Sequence, residues 1–335
     1  MKSTPRLNTT ILLVALLLTV SSCGNDSTPD DPPAVEKDWV SLVDEKAAFE
    51  DLREFAAIGG ISHAPYRMDN IRKARSLIKK KLRTVGIKRW LNDVFKQVVP
   101  VNGGDATREV LMENIVGVLP GNRTESMLIG CHYDTKILPE NEYFEGANDG
   151  CSAVALTIEL ARCLVKQHRQ SKPEFTYYFA FFDGEEAFFD WHHKQGGTEP
   201  DNTYGSRRMA GNSARYPVQC AIILDMIGDK DLLLANDTNS HADLKAIFFE
   251  ESRNTFGIDI FGSAQQILDD HLSFKLAGMP RIIDLIDLNY GPGNSIWHTT
   301  NDKVENCSAH SLSRVGTLVL AALPRVSSWL SNELK

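Results

Sequence analysis

The sequence contains no apolar run long enough to cross a membrane, no excess of basic residues and no CxxC pair of cysteines. Its apolar run at residues 11–20 rises only about 15 Å as a helix, against a bilayer core of ~30 Å. Lysine and arginine number 36 against 44 aspartates and glutamates, which gives a net charge of −8. These features exclude a multi-span membrane protein, a typical nucleic-acid-binding protein and a cysteine-ligated zinc site.

The N-terminal residues are typical of an export signal. Lys2 and Arg6 precede the apolar run, and two serines then precede Cys23. This arrangement resembles the lipobox of bacterial lipoproteins, which implies removal of residues 1–22 and acylation of Cys23. An ordinary signal peptide that happens to contain a cysteine is the alternative. Residues 23–37, rich in Pro, Asp and Ser, predict a disordered tether, so we expect a lipid-anchored protein of the bacterial cell envelope, periplasmic or on the outer-membrane surface.

Five cysteines remain after Cys23, an odd number that cannot all pair with one another. An exported compartment permits disulfides. Cys131 and Cys151 flank two of the motifs described below and could approach each other. The spacing alone leaves the connectivity open.

Apolar strand-like segments alternate with helix-like segments along residues 38–335. The predicted strands lie at residues 114–119, 126–131, 176–182, 220–224 and 281–285. The predicted helices lie at residues 43–57, 68–85, 152–167 and 310–330. This alternation predicts an α/β fold: a three-layer sandwich with a mostly parallel, mixed central sheet and helices on both faces, in a single domain.

Acidic residues and histidines follow several of the predicted strands or begin the next helix. They are His132, Asp149, Glu185, Glu186, Asp225 and His298. Because ligands bind at the carboxyl ends of the strands in open parallel sheets, we expect these side chains to converge. A catalytic zinc takes imidazole nitrogens and carboxylate oxygens and keeps one position open. The pattern therefore predicts a metal site, since the carboxylates would otherwise repel one another with no cation to offset them.

The motifs HYD, GANDG, DGEE, LDMIG and WHTTND, in this order, resemble those of the secreted zinc aminopeptidase superfamily. That resemblance implies a zinc-hydrolase-like α/β domain over residues 38–335, whose relatives normally bind two zinc ions. The implied metal ligands are His132, Asp149, Glu186, Asp225 and His298. Glu185 corresponds to the general base.

A closer resemblance within that superfamily is to the glutaminyl cyclases, or glutaminyl-peptide cyclotransferases. The segment FFDGEEAF, followed by YGSR, DDH and WHT, carries this resemblance. It implies one zinc at Asp149, Glu186 and His298, catalytic roles for Glu185, Asp225 and Asp269, and a pocket lined by Trp191 and Trp297. The implied reaction converts the N-terminal glutamine of a peptide or protein to pyroglutamate and releases ammonia. We expect a monomer that contacts the membrane only through its lipid and binds no nucleic acid.

The chain departs from the cyclases in one strand. They carry a histidine in the strand that matches residues 281–285, where this chain has Ile283 and Asp284. His271 directly follows the pair Asp269 and Asp270, and it either orients Asp269 or has a structural role.

Two other functions use the same residues. A co-catalytic aminopeptidase would bind two zinc ions bridged by Asp149, with His132 and Asp225 completing the second site and Glu185 activating a water. The ligand types alone do not separate this reading from the cyclase. A lipoprotein that kept the fold only to bind a ligand is the third possibility, but a binding module does not need the base Glu185.

Overall fold

The computed structural model describes residues 42–195 and 199–335, which belong to one compact unit. The predicted signal peptide, Cys23 and the tether at residues 23–37 lie outside the described residues. Within the described part of the chain, none of the helices combines the length and the apolar character that a membrane-spanning helix needs. All five cysteines found there are buried and free, so Cys131 and Cys151 form no disulfide in this structure.

Six of the strands form a central mixed sheet. The strands are β1 (Arg89–Val101), β2 (Ala106–Leu119), β3 (Ser126–His132), β4 (Thr176–Phe182), β5 (Lys194–Gln195), β6 (Glu199–Pro200), β7 (Val218–Asp225), β8 (Leu234–Asp237), β9 (Phe261–Gln265) and β10 (Ile282–Ile286). The sheet has the order β1-β2-β4-β3-β7-β10. Strands β4, β3, β7 and β10 run parallel, and β1 and β2 add two antiparallel pairings at one edge. The predicted mostly parallel, mixed sheet is confirmed.

Helices cover both faces of this sheet. The helices are α1 (Glu45–Ala56), α2 (Met68–Thr84), α3 (Ala153–Gln167), α4 (Tyr204–Ala210), α5 (Ala242–Phe256), α6 (Asp270–Leu276) and α7 (Ala309–Glu333). Alternate residues of β4 pack on opposite sides, with Phe179 among the residues of α1, α2, α3, α5 and α7 and Phe182 among those of α4 and α6. Strands buried on both faces need apolar residues throughout, which is why β3, β4 and β7 stand out in the sequence.

The antiparallel arm β1–β2 and the helices α4, α5 and α6 are absent from the sequence prediction. The expected strand at residues 114–119 covers only the end of β2 that the sheet buries. Val94 on β1 and Leu111 on β2 are 52% and 50% exposed, so this arm mixes polar and apolar residues without the continuous apolar run of a buried strand. Helices α4 and α6 have seven residues each, which is too short for a helical period to be recognised.

A buried ion cluster fixes the carboxyl end of β4. Asp183, the residue after that strand, is fully buried and accepts hydrogen bonds from His63 Nε2 at 2.7 Å, Arg75 Nη2 at 2.5 Å and the backbone N–H of Glu113 at 2.7 Å. Burial raises the pKa of Asp183, but the charges of His63 and Arg75 outweigh burial and hold the pKa well below its usual range. The carboxylate therefore anchors the loop that begins at residue 183.

We expect Asp183→Asn to lower the free energy of unfolding by about 3–5 kcal/mol, because it leaves buried charged donors without their acceptor. Urea unfolding at pH 7 measures this loss. The pKa of Asp183 is lower in the folded protein than in the unfolded chain, so its stabilisation is present at neutral pH and is lost as the pH falls. The difference in unfolding free energy between the parent protein and Asp183→Asn therefore becomes smaller in acid. The control Asp69→Asn breaks an ion pair with Arg72 whose side chains are 77% and 62% exposed and costs less than about 1 kcal/mol. An equal loss of unfolding free energy in Asp183→Asn and Asp69→Asn would contradict this account.

Candidate metal and catalytic site

The carboxyl ends of β3, β4, β7 and β10 open into a cavity of about 440 Å³. Its lining includes all eight residues that the sequence predicts for catalysis, pocket walls and the first metal. These residues are Asp149, Glu185, Glu186, Trp191, Asp225, Asp269, Trp297 and His298. Side chains separated by up to about half the chain length therefore come together as the parallel topology predicts.

Two carboxylates and one imidazole meet on one side of this cavity. His298 Nε2 lies 3.1 Å from Asp149 Oδ2 and 3.1 Å from Glu186 Oε1. One potential ligand atom from each residue lies within 4.8 Å of the others. Glu186 Oε1 is buried and makes no hydrogen bond of regular geometry, although His298 Nε2 lies at ion-pair distance from it. This donor set suits a divalent metal ion such as zinc, and an oxygen without a regular hydrogen bond fits that interpretation.

The same three residues attract positive charge electrostatically. Burial lowers the pKa of His298, but Glu186 and Asp149 outweigh burial and raise the pKa to about 10. Burial raises the pKa of Asp149, but hydrogen bonds from His132 and His298 outweigh it and hold the pKa far below its usual range. A proton on His298 thus supplies the charge that a cation would otherwise supply.

A second possible metal-ligand set shares Asp149. His132 Nε2 lies 3.0 Å from Asp225 Oδ1 and 3.4 Å from Asp149 Oδ1. One potential ligand atom from each of these three residues lies within 4.8 Å of the others. His132 Nδ1 donates to the carbonyl oxygen of Asp134 at 2.9 Å, which fixes the orientation of the ring. The geometry therefore provides ligand sets for one ion or for two.

Burial raises the pKa values of three further carboxyl groups of the cavity. Burial raises the pKa of Asp225 to about 6. Burial, with repulsion from Glu186 and Asp269, raises the pKa of Glu185 well above its usual value. Burial, with repulsion from Asp284 and Asp270, does the same for Asp269. A carboxylate whose pKa is raised is a stronger proton acceptor, which suits acid–base work during a reaction.

Asp134 holds the loop that carries Glu185 and Glu186. Its carboxylate accepts the backbone N–H groups of Gly184, Glu185 and Glu186 at 3.0, 3.1 and 3.2 Å. Gly184 has a φ of +72°, and a Cβ there would lie 2.8 Å from Met112 Cε, so only glycine fits this turn. Sequence reasoning missed this role, although Asp134 is the third residue of the HYD motif.

Asp302 holds the loop that carries Asp149. It accepts the backbone N–H groups of Asn148 and Asp149 at 2.8 and 3.1 Å and the hydroxyl of Tyr290 at 3.0 Å. The only sequence signal for this role is the position of Asp302 within the WHTTND motif.

The two tryptophans form walls of the cavity. Trp297 Nε1 donates to Asp149 Oδ2 at 3.1 Å, and its ring stacks on His298 with the ring centres 4.0 Å apart. Trp297 is 37% exposed, so one face of the indole remains open to a ligand. Trp191 is partly buried at another part of the same wall.

Comparisons with known proteins identify the family of this chain. Residues 114–323 match the model of peptidase family M28. The glutaminyl-peptide cyclotransferase of Bos taurus is 28% identical over 240 residues, which cover 62% of this chain and 64% of that protein. The match thus spans less than two thirds of the length of this curated relative.

Solved structures share the fold. An Acidobacteriales bacterium glutaminyl cyclase superposes with a TM-score of 0.72 and 26% identity, over 91% of this chain and 99% of that chain. A Zn-dependent exopeptidase from Parabacteroides distasonis superposes with a TM-score of 0.68 and 21% identity, over 83% of this chain and 97% of that chain. The second likeness concerns the fold alone.

We expect Asp134→Asn to weaken Zn²⁺ binding by about 10–100-fold, since an amide cannot accept all three backbone N–H groups that position Glu186. Calorimetric titration of the metal-free protein with Zn²⁺ measures this affinity. The control Asp259→Asn changes an exposed aspartate that also accepts a backbone N–H, from Phe261 at 3.1 Å, and should bind Zn²⁺ like the parent protein. Unchanged affinity in Asp134→Asn would show that the loop needs no such support.

Proposed function

The chain belongs to peptidase family M28, and from this premise we propose that it is a zinc-dependent glutaminyl-peptide cyclotransferase. It converts the N-terminal glutamine of peptides or proteins to pyroglutamate and releases ammonia. The observation that carries the proposal is the cavity in which the buried carboxyls Glu185 and Asp269 lie together beside two tryptophans. The names of the Bos taurus relative and the Acidobacteriales structure support the same activity.

The reaction needs orientation more than it needs a strong external nucleophile. The α-amine of the glutamine attacks the carbon of its own γ-amide, a C–N bond forms in a five-membered ring, and the bond to the amide nitrogen breaks. Both reacting groups belong to one residue, so holding that residue in a folded conformation supplies much of the rate enhancement.

Glu185 moves the proton in this scheme. Its carboxylate accepts a proton from the attacking amine and passes it to the departing amide nitrogen, which leaves as ammonia. The raised pKa of Glu185 makes its carboxylate a stronger base for the amine proton than an exposed glutamate would be. Its backbone is held by Asp134 and by the N–H of Thr203, which donates to the carbonyl oxygen of Glu185 at 2.9 Å.

Asp269 and Asp225 hold the amide end of the substrate. Both line the cavity, and burial raises the pKa of Asp225 to about 6 and the pKa of Asp269 well above its usual value, so each carboxyl holds a proton more readily than an exposed one. The two carboxyls can therefore bind the leaving nitrogen while Glu185 protonates it.

Trp191 and Trp297 exclude bulk water from the reacting atoms. Their ring faces form part of the wall around a small side chain, and a site with less water gives stronger electrostatic interactions and less competing hydrolysis.

One zinc ion, held by Asp149, Glu186 and His298, is the proposed cofactor. When bound, zinc supplies Lewis-acid polarisation of a carbonyl oxygen. This chain's own contribution is to fix the three ligands: Asp302 holds the backbone of Asp149, Asp134 holds that of Glu186, and Trp297 stacks on His298.

A two-zinc aminopeptidase is the second candidate, and one observation favours it. His132, Asp149 and Asp225 form a second group of potential ligands beside the first. In that reaction Glu185 would take a proton from a water molecule, and the product would be a free amino acid.

Two parts of the proposal rest on the sequence. The Ser21-Ser22-Cys23 arrangement after a short apolar run supports lipid anchoring of the mature chain at the bacterial cell envelope, and we propose that the enzyme acts there as a monomer. Radiolabelled palmitate incorporation that disappears in Cys23→Ser tests the anchor.

We expect the purified protein to release ammonia from a peptide beginning with Gln-Ala and to release no leucine from one beginning with Leu-Ala. Coupled ammonia detection and amino-acid analysis measure the two products, and metal analysis should find one zinc per chain. Free leucine without ammonia, in a protein holding two zinc ions, would establish the aminopeptidase instead.

We expect Glu185→Gln to keep its zinc and to lower kcat for cyclisation by roughly 10²–10⁴-fold, because the amide cannot accept the amine proton. Steady-state kinetics with a Gln-initiated peptide and metal analysis of the same sample check both statements. The matched control Glu140→Gln alters an exposed glutamate and should retain full activity. Cyclisation at the normal rate in zinc-loaded Glu185→Gln would remove Glu185 from the mechanism.

A further inference from the structure

A second group of buried titratable residues lies behind the cavity, around His271. This histidine sits in the first turn of α6 and is fully buried. Its Nε2 lies 3.3 Å from Asp237 Oδ2 at the end of β8, and its Nδ1 lies 3.2 Å from Asp284 Oδ2 in the middle of β10. Asp269, the residue before α6, faces the same group.

The buried carboxylates around His271 would carry uncompensated negative charge if no positively charged group lay among them. Three carboxyl groups, those of Asp237, Asp269 and Asp284, face one imidazole, and all three aspartates are nine-tenths or more buried. Within the described residues, no lysine or arginine lies at ion-pair distance from these three aspartates. The oxygens of Asp269 and Asp284 and both ring nitrogens of His271 make no hydrogen bond of regular geometry, so the contacts of His271 are ion-pair contacts.

The two nitrogens of His271 determine which charge state fits. A neutral imidazole has one N–H and one lone pair, so one of its nitrogens would face a carboxylate oxygen with no proton between them. An imidazolium donates from both nitrogens. Only the charged form is complementary to a carboxylate on each side.

We propose that His271 is held as an imidazolium and acts as a positioning residue for Asp269. The positive charge of His271 keeps Asp284 ionised. The ionised Asp284 then holds the protonated Asp269 carboxyl in place, and Asp269 can donate its proton toward the cavity. One ligand-type atom from each of Asp269, His271 and Asp284 lies within 4.8 Å of the others, which is close enough for this coupling. The catalytic consequence rests on the proposed function, whereas the charge state of His271 does not.

The electrostatics agree with this geometry. Burial lowers the pKa of His271, but Asp284 and Asp237 outweigh burial and raise the pKa to about 10. Asp237 is a rigid partner because it accepts the backbone N–H groups of Asn239 and Ile267 at 3.0 and 3.1 Å and the hydroxyl of Ser240 at 2.7 Å.

A divalent cation bound by Asp269, His271 and Asp284 is the competing explanation for the same atoms. In that case His271 carries one N–H, directed at Asp237, and metal analysis finds an ion beyond those at the cavity. The imidazolium is favoured because His271 and Asp284 are fully buried and do not line the cavity, whereas His298 of the first metal-ligand group faces the cavity, where an ion would keep an open position.

The experiment is nitrogen NMR of the zinc-loaded chain labelled with ¹⁵N-histidine, with the His271 signals assigned from His271→Gln. We expect both ring nitrogens of His271 to remain protonated from pH 6 to pH 9. A neutral imidazole pattern at pH 7, or a metal-shifted signal accompanied by an additional bound ion, would overturn the proposal.

Asp237→Asn is the matched variant for the functional consequence. The asparagine oxygen takes the place of Oδ1 and keeps the two backbone N–H groups, so the new NH₂ takes the place of Oδ2. There it faces His271 Nε2, which favours the neutral imidazole, and the Ser240 hydroxyl, which rotates to accept from it. We expect the NMR pattern to become neutral and kcat to fall about tenfold or more, with KM little changed. A neutral His271 with unchanged kcat would overturn the positioning role.

Two controls separate this outcome from other failures. His168→Gln, at the C-terminal end of α3 and outside the cavity, should leave kcat and the His271 signals unchanged. If the parent protein has no cyclase activity, the proposed function fails while the NMR result still decides the charge state of His271.

Discussion

Repulsion among buried carboxylates at the carboxyl ends of β3, β4 and β7 must be offset before this sheet edge can fold. Desolvation makes each unpaired charge costly, so every carboxylate needs a donor, a cation or a proton. The structure uses all three means. Backbone N–H groups surround Asp134, a guanidinium and an imidazole hold Asp183, and the pKa values of Asp225 and Glu185 are raised, which makes protonation of these two carboxyls easier.

The means of compensation separates structural carboxylates from those available for chemistry. Asp134, Asp183 and Asp302 have acceptor positions filled by donors from the protein, and each fixes a loop beside the cavity. Glu186, Asp269, Asp270 and Asp284, in contrast, present buried oxygens without a hydrogen bond of regular geometry. Such atoms are rare in folded proteins, and of these four residues Glu186 and Asp269 line the cavity, where a cation or a substrate is expected to complete the network.

The sequence was sufficient to predict the parallel part of the sheet and the residues at its edge, because β3, β4 and β7 are continuous apolar runs that end in polar side chains. It did not reveal the supporting aspartates. The contact between Asp134 and Glu186 spans 52 residues and that between Asp302 and Asp149 spans 153, and such pairs depend on loop geometry that composition does not encode. The pairing of His271 with Asp284 is likewise visible only after β10 is placed beside α6.

Backbone strain marks the same region. Met226 and His298 have φ values of 47° and 56°, and both line the cavity. Thr203, at 48°, donates its N–H to the carbonyl oxygen of Glu185. A non-glycine residue in the left-handed region costs of order 1–3 kcal/mol and persists only where its surroundings enforce it. Here the stacking of Trp297 and the carboxylates around Nε2 hold His298 in place. The contacts that enforce this backbone conformation thus also keep the imidazole beside Asp149 and Glu186.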